Sequence, residues 1–526
     1  MTPLSSAIAL ALALTAVVPS AHAATPSLAA PAARPVRPAD SLDDRLPEVP
    51  REFRGVWVAS VGNIDWPSEP GLSTQQQQME LLAILDRAVA LHLNAVILQV
   101  RPAADALYAS PYEPWSEYLT GVMGQAPEPY YDPLAFAVAE AHRRGLELHA
   151  WFNPFRARYE GAKSPAAPNH VSRTHPELVK RYGGFLWMDP GEPAVREQAR
   201  RVILDVVRRY DVDGVHIDDY FYPYREPARG GGYVPFPDDR SWARYQRSGG
   251  RLSRDDWRRS NVDGFVEELY TAVKAVKPWV KVGISPFGIW RPGHPASVRG
   301  LDAYTELFAD SRKWIRNGWL DYLAPQLYWP TSAPQQGYAT LLQWWLDQNT
   351  HGRHVWPGNF TSRVGDPRQP KWTPGELLAQ VRLTRQSDGA GGNIHFSMSA
   401  LLGDDNGLVQ PLRRSAYAAP ALVPASPWLE RGDPPAAIVR VARTGRTAEG
   451  VSLELSSTQL PRVRTWIVRA RYADGWSVRL VPGPQRSYFV AAGETGLPRE
   501  IVVSAVDRVG VEGPTTVVRV ETGTGE

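Results

Sequence analysis

Eight short apolar segments recur along most of this chain, and helix-like segments separate many of them. The apolar segments, which predict β-strands, are Phe53–Ser60, Asn94–Arg101, Glu147–Pro154, Asp213–Tyr220, Lys281–Phe287, Tyr322–Trp329, His354–Phe360 and Gly392–Leu401. The helix-like segments include Glu80–Leu91, Pro133–Arg144, Ala194–Tyr210, Val262–Val276 and Gly375–Gln386. This alternation predicts parallel strands, and eight repeats over residues 51–425 predict an α/β fold, the (β/α)8 TIM barrel. An open doubly wound sheet is the alternative, but no glycine-rich phosphate loop follows the first strand.

The pattern changes beyond the barrel region. Residues 434–522 alternate apolar and polar residues in seven short runs that glycine and proline turns separate. Such a pattern predicts an antiparallel β-sandwich. Because the chain has no cysteine pairs, the sandwich is expected to be of the fibronectin type III kind, with a role in spacing, in binding or in capping the barrel.

The first fifty residues predict export. An apolar stretch at 4–18 precedes the small-residue cleavage pattern Ala21-His22-Ala23, which indicates a signal peptide over residues 1–23. Residues 24–50 are rich in alanine and proline and predict a flexible linker. The apolar stretch is too short for a membrane span. Without cysteine, neither a lipid-anchored cysteine nor a disulfide is possible, so we expect a soluble periplasmic or extracellular protein that is not a lipoprotein.

Composition excludes one class of partner and favours another. The formal net charge is only +3 and no run of lysine and arginine occurs, so nothing predicts binding to nucleic acid. The chain contains 19 tryptophans and 21 tyrosines, and most aromatic side chains fill protein cores. Those on an open surface can stack on sugar rings.

The segment Asp213–Pro223 (DGVHIDDYFYP) joins a strand to two adjacent carboxylates and three aromatic residues. Alternation along the strand places His216 and Asp218 on one face, and Asp219 falls where the strand should end. Acids at the end of a buried strand are costly unless they accept hydrogen bonds, bind a ligand or take part in catalysis. Carboxylates beside aromatic rings suit the hydrolysis of a glycosidic bond.

Polar and aromatic residues also end the other predicted strands, where (β/α)8 barrels carry their active sites. Together they predict a cleft of the size of a sugar chain. The predicted catalytic residues are Asp218 and Asp219, and the predicted substrate-binding residues are His216, Gln99, Arg101, Asp105, Trp115, Trp151, Asn153, Gln326, Tyr328 and Trp329. No ligand spacing typical of a metal site occurs, so we expect no metal and no cofactor.

Six motifs in this order resemble the glycosyl hydrolase-like 10 family. They are EFRGVWV at 52–58, QVRP at 99–102, YEPWS at 112–116, LHAWFNP at 148–154, the segment 213–223 and APQLYW at 324–329. The resemblance covers roughly residues 50–420. It implies a glycosidase barrel, and the family includes periplasmic hydrolases of denuded peptidoglycan, the glycan strands that have lost their stem peptides.

Hydrolysis of a glycosidic bond needs two carboxyl groups, about 5–5.5 Å apart for retention and about 6.5–9.5 Å apart for inversion. By analogy with amylase-type barrels, Asp218 is the first candidate for nucleophile or base. The fifth strand ends in Ser285 rather than in an acid, so the second carboxyl is open: Asp219 is the first candidate, followed by Asp105, Glu113 and Glu306.

The leading hypothesis is an exported glycosidase that cleaves denuded peptidoglycan strands. A hydrolase of another exported amino-sugar polysaccharide is the nearest alternative. A glycan-binding barrel without catalytic activity is the alternative from a different class, because the acid after the fifth strand is missing. The expected partner in each case is a polysaccharide, and the sequence does not indicate an oligomeric state.

Overall fold

The computed structural model describes residues 45–429 and 432–520, so the predicted signal peptide and residues 24–44 of the predicted linker lie outside it. All eight predicted strands are present in the first part. They are β1 Phe53–Val58, β2 Ala95–Arg101, β3 Glu147–Phe152, β4 Gly214–Ile217, β5 Lys281–Ile284, β6 Tyr322–Leu323, β7 in two pieces, His354–Val355 and Gly358–Asn359, and β8 Gly392–His395.

These strands pair in parallel in one curled sheet. The order of neighbours runs from the first piece of β7 through β6, β5, β4, β3, β2, β1 and β8 to the second piece of β7. The two edge strands are therefore parts of the same stretch of six residues, and the sheet curls until its ends meet there. The predicted alternation of helices with a parallel sheet is confirmed, and the carboxyl ends of all strands lie at one mouth.

Helices cover the outside of the sheet. The longer ones are Thr74–Ala90, Pro133–Arg143, Pro193–Arg209, Asp239–Arg247, Arg254–Val276, Tyr338–Asp347 and Pro374–Gln386, and the short ones are Glu117–Thr120, Val171–Thr174, Ala303–Glu306, Ser311–Arg316, Ser399–Leu402 and Val409–Pro411. Single turns lie at Val61–Asn63, Pro176–Leu178, Thr361–Arg363, Leu412–Ala416 and Leu460–Arg462. The first helix begins where Ser73 and Gln76 form a reciprocal capping box.

The strands bury both faces. Their outward side chains and the inner faces of the helices form one large apolar core, in which Val56, Leu98 and Ile217 are buried. The inward side chains form a second core inside the barrel: Phe53, Trp57, Ala95, Ile97, Trp151, Tyr322, Trp356 and Ile394 belong to it.

Two inward glycines make room for rings inside the barrel. A Cβ atom on Gly283 would lie 1.9 Å from the Tyr322 ring, and one on Gly214 would lie 2.6 Å from the His149 ring. Any side chain at either position would displace the ring beside it. These glycines therefore allow His149 and Tyr322 to meet near the barrel axis.

A small antiparallel sheet follows β3. Its strands are Arg156–Arg158, Val179–Tyr182 and Phe185–Met188, with the last of them in the middle. It was not predicted, because each strand has only three or four residues. It holds the chain directly after β3 against the mouth of the barrel.

The C-terminal part forms two antiparallel sheets, as the alternating pattern predicts. The seven strands are β9 Ile438–Thr447, β10 Gly450–Ser456, β11 Val463–Tyr472, β12 Gly475–Pro482, β13 Ser487–Ala491, β14 Glu500–Asp507 and β15 Thr516–Arg519. One sheet has the order β9-β10-β13 and the other β12-β11-β14-β15. The relation to fibronectin type III domains and the domain boundaries at 425 and 434 stay predictions.

The C-terminal sheets pack against the barrel at the end opposite its mouth. Asp211, three residues before the start of β4, accepts hydrogen bonds from Arg464 at 2.9 Å and from Arg508 at 2.6 Å. Arg464 also lies 3.4 Å from a carboxylate oxygen of Asp213. Leu422, at the end of the barrel region, packs with Ile467 and Val506 of the sheets. From Leu46 onward the barrel and the sheets form one compact unit.

Between residues 45 and 520, apart from the undescribed 430–431, no helix is both long and apolar enough to cross a membrane.

Candidate active site

Asp218 lies directly after β4 at the mouth of the barrel, and only 3% of it is exposed. Its carboxylate accepts a hydrogen bond from the Trp151 indole at 3.0 Å and two longer ones from the Asn153 side-chain amide, at 3.2 and 3.3 Å. Both donors come from the end of β3, the strand beside β4 in the sheet. The structure therefore brings together three of the predicted site residues.

Burial and, to a smaller extent, the neighbouring Asp219 carboxylate raise the pKa of Asp218 to about 6. The Arg156 guanidinium and the hydrogen bonds from Trp151 and Asn153 oppose this shift because they stabilise the ionised form. A carboxyl group with such a pKa can hold a proton or release one near neutral pH. It can thus serve as a general acid or a general base.

Asp219 is the second carboxyl at this mouth, and 4% of it is exposed. One of its oxygens accepts a hydrogen bond from the Gln326 side-chain amide at 3.1 Å, and the other accepts one from the Tyr224 hydroxyl. Gln326 also donates to the Ser285 carbonyl at 3.0 Å, which fixes its amide between two strand ends. Burial raises the pKa of Asp219 as well, against the effect of both donors.

His216 lies deeper in the barrel than the two acids and is fully buried. The Trp57 indole donates to its Nε2 atom at 3.0 Å, and the Ser285 hydroxyl lies 3.0 Å from the same atom. Because an indole nitrogen can only donate, Nε2 must accept and the ring proton must sit on Nδ1. Burial lowers the pKa of His216 well below its ordinary value, so the ring is neutral.

The Nδ1 proton of His216 starts a chain of hydrogen bonds through the barrel interior. Nδ1 donates to the Tyr322 hydroxyl at 3.0 Å, and that hydroxyl lies 2.8 Å from Nδ1 of His149. The other nitrogen of His149 lies 3.0 Å from Glu147, which Lys281 contacts at 2.8 Å. Both nitrogens of His216 have partners in the protein, so the geometry favours a supporting role beneath Asp218; a direct contact with substrate stays a prediction.

Arg101 is also fully buried, and a carboxylate satisfies its charge. Its guanidinium binds both oxygens of Glu113, at 2.8 and 2.5 Å, and a third nitrogen donates to the Asn153 carbonyl. Glu113 is therefore an ion-pair partner rather than an unpaired acid. This arrangement makes Arg101 a support for Asn153, which in turn holds Asp218, while its predicted contact with substrate remains a prediction.

The structure places Gln99 and Asp105 at enclosed positions near the end of β2. The Gln99 side-chain oxygen accepts from the amides of Ser60 and Val61 at 3.1 and 2.9 Å, and its nitrogen is buried without a partner among the described residues. Asp105 accepts from the Ala103 amide at 2.8 Å, and its other oxygen is likewise buried without a described partner. Burial raises the pKa of Asp105 to about 6.

The remaining acid considered from the sequence, Glu306, lies elsewhere. It lines a surface pocket of about 300 Å³ together with Tyr222, Pro223 and Phe308. No hydrogen bond within residues 45–429 and 432–520 joins Glu306 or Asp105 to Asp218 or Asp219. Of the acids considered from the sequence, the two adjacent aspartates are thus the pair that lies together at the end of β4.

Three predicted aromatic residues keep part of their surface exposed. Trp115 packs edge-on against Tyr130 with the ring centres 6.3 Å apart, and Trp329 packs edge-on against Phe287 at 5.6 Å. Tyr328 lies 4.6 Å from the Phe360 ring centre. These half-buried rings can offer a face to a sugar. Trp151 is more enclosed, since its indole nitrogen is committed to Asp218.

Three residues at this site were not among the predicted catalytic or substrate-binding residues. Arg156 favours the ionised form of both aspartates, Tyr224 donates a hydrogen bond to Asp219, and Trp57 donates one to His216. The sequence carries a signal for two of them, because Arg156 follows the end of β3 and Trp57 lies on the inward face of β1. Tyr224 has no such signal, since its loop conformation brings it back to Asp219.

No group of three or more histidine, aspartate or glutamate side chains positioned to hold a metal ion occurs in the described part of the chain.

Comparison with known proteins identifies related sequences. The model of the glycosyl hydrolase-like 10 family matches residues 52–373. Glycosyl hydrolase YngK of Bacillus subtilis (strain 168) is 42% identical over 392 residues, which are 73% of this chain and 75% of that protein. Glycosyl hydrolase DigH of Escherichia coli (strain K12) is 36% identical over 343 residues, which are 61% of this chain and 76% of that protein.

Among solved structures, the PgaB (BpsB) glycoside hydrolase domain from Bordetella bronchiseptica aligns with a TM-score of 0.47 and 16% identity. That alignment covers 69% of this chain and 98% of the domain. The family model spans more than half of the sequence, and the Bacillus relative shares its identity over nearly three quarters of it. The chain belongs to the glycosyl hydrolase-like 10 family.

Proposed function

We propose that this protein is an exported glycoside hydrolase that cleaves peptidoglycan glycan strands without stem peptides, with Asp218 and Asp219 as its catalytic carboxyls. One observation carries the proposal. Two adjacent carboxyls lie at the mouth of a β/α barrel, both have raised pKa values, and separate sets of donors hold them. Family membership supports the reaction class.

The two carboxyls divide the chemistry between them. Hydrolysis requires one ionised carboxylate and one protonated carboxylic acid at the same pH. Adjacent acids favour this state because the first to ionise raises the pKa of the second. The Arg156 guanidinium favours the ionised form of both aspartates, against the effect of burial. By the analogy with amylase-type barrels, we assign the ionised role of nucleophile or base to Asp218, and proton donation to Asp219.

Three further features support the substrate and the location. The half-buried rings of Trp115, Tyr328 and Trp329 provide apolar faces of the kind that sugar rings stack on. The signal-peptide pattern over residues 1–23 supports export, where such a glycan would be met. The resemblance to a family that includes hydrolases of denuded peptidoglycan favours glycan strands without stem peptides over other amino-sugar polysaccharides.

Digestion of defined glycans tests the proposal. Purified protein is incubated with intact sacculi, with sacculi treated with an amidase and with poly-N-acetylglucosamine, and soluble products are identified by mass. Soluble fragments from amidase-treated sacculi alone are the expected result. Asp218→Asn and Asp219→Asn should each lower kcat by about 10²- to 10⁴-fold, the usual contribution of general acid–base catalysis.

The exposed Asp388 provides a matched control, because Asp388→Asn removes one carboxylate far from any proposed role. The anomer of the first product distinguishes retention from inversion. Cleavage of poly-N-acetylglucosamine instead would favour the alternative amino-sugar substrate. If the wild-type protein binds these glycans but cleaves none, the protein is a glycan-binding barrel and the enzyme proposal is wrong.

A further inference from the structure

Arg156 is held rigidly at the mouth of the barrel. Only 3% of the residue is exposed. Its backbone amide donates to the Asn153 side chain at 2.8 Å, and its Nε atom donates to the Pro102 carbonyl at 2.9 Å. The guanidinium carbon lies 5.2 Å from the centre of the Tyr220 ring and 5.8 Å from that of Tyr159. Hydrogen bonds and ring faces thus fix the direction of the side chain.

The charge of Arg156, in contrast, is not paired. Among residues 45–429 and 432–520, no carboxylate forms an ion pair with Arg156, and neither terminal guanidinium nitrogen has a hydrogen-bond partner. Neither of these two nitrogens is fully enclosed by protein atoms, so a ligand can reach them. Arg101, equally buried, binds both oxygens of Glu113.

An enclosed guanidinium without a direct ion-pair partner is costly, and an anion that binds to it lowers that cost. The planar fork of an arginine matches a carboxylate through two parallel N–H···O hydrogen bonds. Arg156 also lies close enough to Asp218 and Asp219 to influence the charge of both. An anion bound there would therefore belong to a sugar next to the bond that is cut.

We propose that Arg156 binds the carboxylate of a muramic acid residue in the glycan, and that this contact selects strands without stem peptides. The inference rests on the proposed function. In a denuded strand, the lactyl group of each muramic acid ends in a free carboxylate. In intact peptidoglycan the same carbon forms an amide with the first amino acid of the stem, so the negative charge is absent and a bulky group takes its place.

A pair of substrates that differ only in this charge tests the inference. One is denuded glycan from amidase-treated sacculi, and the other is the same material with its carboxyls converted to methylamides by carbodiimide coupling. For the wild type we expect kcat/KM to be about 30- to 100-fold lower on the methylamide, the usual effect of losing a bidentate charge-assisted contact. Equilibrium binding of both glycans, measured by calorimetry, should show the same preference.

Two variants complete the test. Arg156→Gln should lower kcat/KM on the free carboxylate glycan to the level of the methylamide, so that the preference disappears. Arg181→Gln, an exposed arginine in the same small sheet, should keep the preference of the wild type. Circular dichroism of each variant checks that it is folded.

Other outcomes would overturn the inference in distinguishable ways. If the wild type cleaves both glycans equally well, the protein is still a glycosidase, but Arg156 does not recognise the carboxylate. If Arg156→Gln slows both substrates equally and moves the pH profile, the guanidinium acts only on the ionisation of Asp218. If the wild type cleaves neither glycan, the proposed function fails, and binding without any preference would refute the carboxylate site as well.

Discussion

The raised pKa of Asp218 predicts how the stability of the protein changes with pH. An isolated aspartate has a pKa of 3.8, and burial in the folded protein raises it to about 6. Well below pH 3.8 the carboxyl is neutral in both the folded and the unfolded state and costs no stability. As the pH rises through this interval, the unfolded chain ionises first, and the folded protein loses stability until the pH passes the folded pKa.

The expected size follows from the shift. A difference of roughly two pKa units, at about 1.4 kcal/mol each, costs about 3 kcal/mol at neutral pH. Part of this cost is already present at pH 4, where the unfolded carboxyl is half ionised, so about 2 kcal/mol remains between pH 4 and pH 8. Asp218→Asn cannot ionise. Relative to the wild type, it should gain about 2 kcal/mol of stability over the same interval.

Urea unfolding at pH 4 and pH 8, followed by circular dichroism, measures this difference. Any loss of packing or of the Trp151 hydrogen bond in Asp218→Asn changes the free energy of unfolding equally at both pH values. The difference between the two pH values therefore reports the ionisation of Asp218 alone. Asp388→Asn, which removes an exposed carboxylate, serves as the matched control.

Because the Asp388 carboxylate is exposed to water in the folded protein, Asp388→Asn should change the stability by a nearly equal amount at pH 4 and pH 8. A stability difference between the wild type and Asp218→Asn that is the same at both pH values would refute the reasoning. It would mean that the folded protein tolerates the ionised Asp218 as well as water does.

Three more outcomes are expected. Trp151→Phe removes a hydrogen bond to ionised Asp218 and should raise its pKa, so the acidic limb of the kcat/KM profile moves up by about one pH unit. Tyr224→Phe removes a donor to Asp219 and should likewise raise its pKa; an upward shift of the basic limb would identify Asp219 as the acid, and an unchanged profile would contradict its role. Tyr322→Phe leaves a buried histidine N–H unpaired and should lower the free energy of unfolding by about 1–3 kcal/mol, measured by urea titration.

The strands were predictable because apolar runs of strand length are local features of the sequence. Their exact ends were not. The predicted strand Tyr322–Trp329 is ladder-paired only over Tyr322–Leu323, and the predicted strand His354–Phe360 is interrupted between Val355 and Gly358. Pro325 and Pro357 lie in the gaps, and a proline cannot donate to a neighbouring strand. Applied to the sequence, this property of proline would have shortened both predicted strands.

The neighbours of the site residues depend on the register of the closed sheet. The partners of His216 come from β1, β6 and the end of β5, and no local pattern reports which side chains meet there. Arg101 finds Glu113 through a loop of irregular structure. The sequence therefore indicated which residues lie at the mouth, while the division between ligand-facing and supporting residues needed the three-dimensional structure.

The contact between the C-terminal sheets and the barrel has a consequence for how this protein can be divided. Arg464 and Arg508 neutralise Asp211 and Asp213 at the start of the same strand that carries Asp218 at its other end. A barrel expressed without residues 434–520 would keep both carboxylates and lose these arginines. We therefore expect the sheets to stabilise the barrel, so that a barrel without residues 434–520 should unfold at a lower urea concentration than the longer chain.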